Sequence, residues 1–201
     1  MSDGFPVPAA QHRAEESVER SRFITTVARA STSEEARSFI DTMRAEFPDA
    51  THNCWAFVAG APGSTAAVGF SDAGEPHGTA GRPMLDVLLH SGIGEIVTVV
   101  TRYFGGVKLG KGGLVRAYGG AVKNALATLP TIVLVERTAA VVTATYADVD
   151  ALKKVIQEFD VVLLDESYGA DVRFTVEVPA AQATAFERAA RDRTAGRAIV
   201  E

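Results

Sequence analysis

The sequence has a single cysteine, Cys54, so no disulfide can close within the chain. No apolar run approaches the roughly 18 residues that a membrane helix needs. The stretch from Met1 to Pro6 has neither a basic start nor an apolar core, so no secretory signal is expected. With the lone cysteine, this points to a soluble protein in a reducing, cytoplasmic setting. There is no internal repeat and no low-complexity tract. Neither the Walker spacing nor the dinucleotide-binding glycine fingerprint occurs. Ser64, Ser71 and Ser91 lack a nucleophile elbow, which argues against a serine hydrolase.

Charge of one sign is also missing locally. The net charge is −5 over 201 residues, so the chain is no bulk polycation. Yet no acidic residue lies between Glu95 and Glu136, an interval that holds Arg102, Lys108, Lys111, Arg116 and Lys123. If these side chains share a face, they make a local positive patch in an acidic protein. From residue 137 onward the balance is −3, from 8 basic and 11 acidic residues. Arg188, Arg191, Arg193 and Arg197 cluster there, which is read as a solvated helix edge.

What is present is ordinary globular material, 47% hydrophobic and 22% charged. The first 20 residues are polar and read as a poorly anchored arm. Arg22 to Ala30 is β-branched and reads as a strand. Thr32 and Glu35 have capping-box spacing, and Ala36, Phe39, Ile40, Met43 and Phe47 follow at helical period up to Pro48. Cys54–Ala59 and Ala66–Phe70 read as two short strands. Pro83 opens a helix with Leu85, Leu88 and Leu89 on its buried face. Ile96–Thr101 is apolar enough for a central strand. A helix is expected from Leu114 to Leu126. Ile132 to Thr145 reads as one long strand between two domains, with a boundary near residue 136. Beyond it the order β-α-β-β-α-β has the split βαβ, ferredoxin-like plan.

The most chemical stretch is Arg102-Tyr-Phe-Gly-Gly-Val-Lys-Leu-Gly-Lys-Gly-Gly-Leu-Val-Arg116. A strand delivers the chain to Gly105, Gly106, Gly110, Gly112 and Gly113, and a helix leaves it. Glycines let a ligand approach the amides, and a helix start offers unpaired N–H groups and a positive dipole end. Lys108, Lys111 and Arg116 add charge, so Arg102 to Arg116 reads as an anion site, with phosphate the usual anion. The alternative is that the glycines serve tight packing, the lysines are solvated, and Arg102 pairs with Asp72 or Glu75. Tyr103, Phe104 and Tyr118 either stack on bases or belong to the core. The loop Ser71 to Pro83 supplies Asp72, Glu75, Thr79 and Arg82 as supporting residues. They either assist an acid–base site or cap the loop. His52, Cys54 and His77 do not make a convincing zinc set, since a fourth ligand is wanting.

Phe70-Ser-Asp-Ala-Gly-Glu-Pro-His-Gly-Thr-Ala-Gly-Arg-Pro83, followed by Val99-Val-Thr-Arg-Tyr-Phe-Gly-Gly-Val-Lys-Leu-Gly-Lys-Gly-Gly-Leu-Val-Arg-Ala-Tyr118, closely resembles the YigZ/IMPACT family. The likeness spans nearly the whole chain. It implies an α+β protein of two domains. Residues 1–135 would be a domain like the second domain of ribosomal protein S5. Residues 136–201 would be a ferredoxin-like domain similar to late domains of elongation factor G. Both relatives are associated with RNA or the ribosome, and eukaryotic family members regulate translation under stress through protein partners. One stretch departs from the family's pattern: Ala73 and His77 stand where an Asp and a Ser are usual. This favours binding over catalysis.

The expectation is therefore a non-enzymatic protein that binds RNA or the ribosome through Gly105–Gly113, Lys108, Lys111 and Arg116, with no metal or cofactor and with a protein partner in translation possible. The competing reading is an enzyme or binder for a small phosphorylated metabolite or nucleotide. It expects a pocket where Asp72, Glu75, Arg102 and Lys108 converge, and no catalytic residue is named.

Overall fold

The computed structural model describes residues 4–201. It is a mixed α/β chain with five α-helices and three sheets. It divides into two compact units, residues 5–133 and residues 134–201 with Gly4.

In the first unit the strands are β1 (Phe5–Pro8), β2 (His12–Val18), β3 (Ser21–Arg29), β4 (His52–Val58), β5 (Val68–Ser71) and β6 (Ile96–Tyr103). The helices are α1 (Ser33–Glu46), α2 (Gly81–Leu89) and α3 (Gly110–Ala127). Five strands form one sheet in the order β2-β3-β6-β4-β5, and each neighbouring pair is antiparallel. Central β6 is buried on both faces, which explains its unbroken apolar run. Side chains alternate across a strand. Ile96 and Val100 therefore join Cys54, Ala56 and Phe23 under α2 and α3, while Val97 and Val99 join Phe57 under Ile40 and Met43 of α1. Arg102 has the parity of Ile96 and Val100, so it falls on the α2/α3 face.

The cap expected at Thr32 forms. Its Oγ1 accepts the Glu35 N–H at 3.1 Å. The Glu35 carboxylate reaches back one residue further than in a standard capping box, accepting the Ser31 N–H at 2.7 Å.

Three expectations need correction. The first 20 residues are not a loose arm: residues 5–8 and 12–18 are strands, and β2 pairs with β3 along its length. Only residues 1–3 of that stretch lie outside the described residues. β2 is an edge strand with one side half-buried, so its apolar content is low. Ion pairs from Arg13 to Glu46 and from Arg22 to Glu15 hold it instead. Second, α3 starts at Gly110, not Leu114. Third, the long strand from Ile132 is two strands in different sheets, β7 (Thr131–Leu134) beside β1 and β8 (Arg137–Ala144).

The second unit continues with α4 (Val149–Glu158), β9 (Val162–Tyr168), β10 (Val172–Pro179), α5 (Ala183–Arg193) and β11 (Ile199–Val200). Its sheet runs β11-β8-β10-β9 and is antiparallel throughout. Val142, Phe174 and Val176 pack with Leu152, Val155 and Phe186. The arginines at its end are largely committed to carboxylates: Arg191 to Glu187, Arg193 to Glu158 and Arg197 to Asp148. Among the described residues no helix is long and apolar enough to cross a membrane.

Two glycines of the first unit carry opposite demands. A Cβ on Gly105 would sit 2.0 Å from the Arg20 carbonyl, which is backbone and cannot swing away. A Cβ on Gly120, in the middle of α3, meets nothing within 4 Å. Gly105→Ala is expected to destabilise by about 1–3 kcal/mol through overpacking. Gly120→Ala is expected to stabilise by about 0.5–1 kcal/mol through helix propensity. Urea midpoints of the two variants should move in opposite directions.

Candidate functional site

The site begins with one row of the sheet. Across β3, β6 and β4 the Cα partners are Phe23, Arg102 and His52. All three therefore lie on the face that α2 and α3 cover. An arginine in this row needs a counter-charge, and the loop between β5 and α2 brings it.

That loop is folded by Asp72. Its carboxylate accepts the N–H groups of Gly78 at 2.8 Å and of Ala80 and Gly81 at 2.9 Å each. Ala80 has no side chain to cap α2, so Asp72 caps it from eight residues upstream. Gly81 lies so close to Ser71 that an added Cβ would meet its backbone at 2.7 Å. Thr79 donates to the Pro76 carbonyl at 2.6 Å and tightens the turn. Partial burial pushes the Asp72 carboxyl up, but the three N–H donors outweigh it and the net direction is down.

Held this way, the loop points Glu75 inward. Its Oε1 accepts from Arg102 Nη1 at 2.5 Å and from the Tyr118 hydroxyl at 2.8 Å. The Arg102 and Glu75 side chains are only 6% and 4% exposed. Arg102 Nη2 donates to Ser21 Oγ at 3.3 Å. The guanidinium carbon lies 5.5 Å from the Phe23 ring centroid and 5.6 Å from that of Phe104. His52 Nδ1 lies 2.9 Å from the Ala73 carbonyl and its Nε2 lies 3.9 Å from Glu75 Oε2. Cys54 donates to the Asp72 carbonyl at 2.9 Å. Burial pushes the Cys54 thiol up to about 12, so it is no nucleophile at neutral pH. Burial also raises the Tyr118 hydroxyl, which stays a donor.

Above the ion pair opens a cavity of about 320 Å³. Glu75, Arg102 and Leu114 line it as buried residues, and Pro76, Phe104, Lys108, Gly110 and Lys111 line it as exposed ones. The start of α3 therefore borders this cavity. Leu109 at the N-cap has no side-chain acceptor, and the first turn contains no acid. Its N–H groups are left without the usual side-chain partner. A larger depression of about 520 Å³ lies elsewhere, between Asp86 and His90 at one end of α2 and Lys123 of α3. It carries no comparable cluster.

The expected residues thus separate. Glu75, Arg102, Lys108, Gly110 and Lys111 share the cavity. Gly112 and Gly113 fall in the first turn of α3. Gly105 packs against Arg20, and its N–H goes to Ser21 Oγ at 3.2 Å, so it offers no amide to a ligand. Gly106 makes a turn with φ +87°. Arg116 lies in a neighbouring depression with Glu16 and Glu19. Asp72 and Thr79 hold the loop, and Arg82 pairs with Asp86 on the surface. His77 is fully exposed, 3.7 Å from Asp72. Among the described residues no three His, Cys, Asp or Glu groups are arranged to hold a metal. Tyr118 is fully buried and cannot stack on a base, whereas Phe104 is 47% exposed. Ser21 had no local signal, because its role arises only where β3 meets β6.

Two outcomes follow. The low carboxyl of Asp72 contributes stability that is full above the ordinary carboxylate range and is lost as pH falls through its folded value. Asp72→Asn should therefore be less stable at neutral pH, by about 0.5–2 kcal/mol, and the gap should close towards strong acid in a pH series of urea melts. Glu75→Ala strands the Arg102 charge and should cost about 3–5 kcal/mol, whereas the double change Glu75→Leu with Arg102→Met should cost less than Glu75→Ala alone.

The comparisons with known proteins agree on kinship. The family described as Impact N-terminal domain matches residues 19–126, and a domain of unknown function (DUF1949) matches residues 142–197. The chain is 43% identical to the IMPACT family member YigZ of Escherichia coli, over 96% of this chain and 95% of that protein. It is 38% identical to an IMPACT family member of Haemophilus influenzae, covering 98% and 96%. It is also 38% identical to the IMPACT family member YvyE of Bacillus subtilis, covering 92% and 84%. A solved structure described as that of a hypothetical protein superposes with a TM-score of 0.69 at 41% identity, over 100% of this chain and 97% of that one. On both the family match and these identities, the chain belongs to the IMPACT family.

Proposed function

We propose that this protein binds phosphate-bearing ligands, RNA foremost, at the start of α3, and that it acts around translation without catalysing a reaction. One observation carries the reading: an uncapped helix start, free of acids in its first turn, borders a cavity whose rim bears Lys108 and Lys111. Among the described residues the only lysine in an ion pair is Lys153, with Glu166, so both rim lysines are available.

The fold supports the setting. The sheet order β11-β8-β10-β9 with two crossing helices suits a ferredoxin-like module of the elongation factor G type, in residues 136–201. We take residues 1–135 as the IMPACT N-terminal domain, like the second domain of ribosomal protein S5. Fold likeness alone does not carry a function, so the claim stays with the cavity.

The metabolite or nucleotide reading keeps one supporting observation. Glu75, Arg102 and Lys108 do line a single cavity, although Asp72 is spent on the loop. The one carboxylate that lines it, Glu75, is held in an ion pair, which favours binding over turnover there.

Anisotropy of a labelled single-stranded RNA, titrated across salt, tests the proposal. Affinity should fall with salt, and Lys108→Ala with Lys111→Ala should flatten the log–log slope by about 1.4, since each phosphate contact on a single strand contributes about 0.7. No binding by the wild type at about 50 mM salt, or an unchanged affinity in the double variant, would overturn it.

A further inference from the structure

Building on that anion-site reading, we propose that the cavity takes one nucleotide by its terminal phosphate monoester, with the phosphate at the start of α3 and the base on Phe104. The ligand is either a free nucleoside monophosphate or the phosphorylated end of a chain.

Four observations point this way. First, the cavity is small. At about 320 Å³ it lies at the small end of ligand pockets, and its inner lining is the buried Glu75–Arg102 pair with Leu114. That is room for one nucleotide, not for a run of them.

Second, the charge balance suits a monoester. The Arg102 charge is met by Glu75, so the floor is close to neutral. The rim offers two lysines and the helix start, with about half a positive charge. A monoester carries about −1.5 to −2 at neutral pH, and an internal diester only about −1.

Third, the positive charge thins out beyond the rim. The adjoining depression shares Lys108 with the cavity and adds Arg116, but Glu16 and Glu19 line it too. Those two carboxylates offset the two cations and weaken the pull on a backbone continuing past Lys108.

Fourth, the cavity holds recognition groups of its own. Arg102 lines it, is 5% exposed, and has an Nε–H without a hydrogen-bond partner among the described residues. Phe104 is 47% exposed and backed by the Arg102 guanidinium at 5.6 Å. A ring held by a cation on one side and open elsewhere is a platform for a base. Inorganic phosphate would use the rim but not this platform.

Calorimetric titration of the full chain with four probes tests the proposal: inorganic phosphate, adenosine 5′-monophosphate, and one hexanucleotide RNA with and without a 5′-phosphate. The phosphorylated RNA should bind at least about tenfold more tightly than its 5′-hydroxyl twin. Phe104→Ala takes a ring off the Arg102 guanidinium and should lower the melting temperature slightly, so binding is compared at a temperature where both chains are folded. The variant should weaken adenosine monophosphate and the phosphorylated RNA by about tenfold, the loss expected of one base stack, and leave inorganic phosphate unchanged. Comparable affinities for the monophosphate and the phosphorylated RNA mark a free nucleotide as sufficient, and a much tighter RNA marks a chain end; both support the proposal. Equal binding of the two RNAs, or no effect of Phe104→Ala, overturns it while the general RNA reading stands. Binding of none of the probes overturns both.

Discussion

The buried pair between Glu75 and Arg102 is the interaction on which the first unit's chemistry rests. It joins three elements that are far apart in sequence: the loop before α2, the end of β6, and Tyr118 of α3. Removing two charges from water is costly, and the attraction between them offsets that cost only when the remaining donors and acceptors are met. Here Tyr118 bonds the Glu75 carboxylate and Ser21 the guanidinium, the Arg102 Nε–H has no partner among the described residues, and Phe23 and Phe104 flank the guanidinium. A pair of this kind adds little net stability compared with an apolar core. What it gives is position, because the loop, the strand end and the helix must all be right for any of them to be satisfied.

The loop is shaped to deliver Glu75, and its own residues are consumed in doing so. Asp72 spends both oxygens on backbone N–H groups, and Thr79 and Cys54 bond to backbone carbonyls. This bears on Ala73 and His77, where the resemblance leads one to expect an Asp and a Ser. Ala73 holds a left-handed φ of +43°, a conformation that Asp and Asn tolerate better than Ala. An Asp, expected there from the resemblance, would have a backbone reason to be preferred. His77 points to solvent beside Asp72. Neither residue lines the cavity, so neither change removes a group from it.

Much of this fold was legible in the chain. The run Ile96–Thr101 was apolar enough to be read as a central strand. Thr32 and Glu35 marked a helix start, and the period of Leu114, Ala117, Tyr118 and Ala121 marked a buried helix face. Polar β2 was not legible, because an edge strand needs few apolar residues and its support comes from Glu46 of α1 and from Arg22 of β3. The early start of α3 was hidden by Gly110, Gly112 and Gly113, which are poor helix formers. The partner of Arg102 was open between Asp72 and Glu75, since sequence spacing cannot tell which carboxylate a folded loop turns inward.

The basic stretch itself shows why charge counts along a chain overstate a patch. No acid lies between Glu95 and Glu136, yet the fold brings acids to that segment from elsewhere. Glu75 neutralises Arg102, Glu16 bonds to Asn124, and Glu16 and Glu19 border Arg116. Of the charges that looked like one surface, Lys108 and Lys111 remain together, at the start of a helix and over a floor that is already paired. The field they make with the helix end is far smaller than the acid-free interval of the sequence implies, and the exposed ring of Phe104 stands beside it.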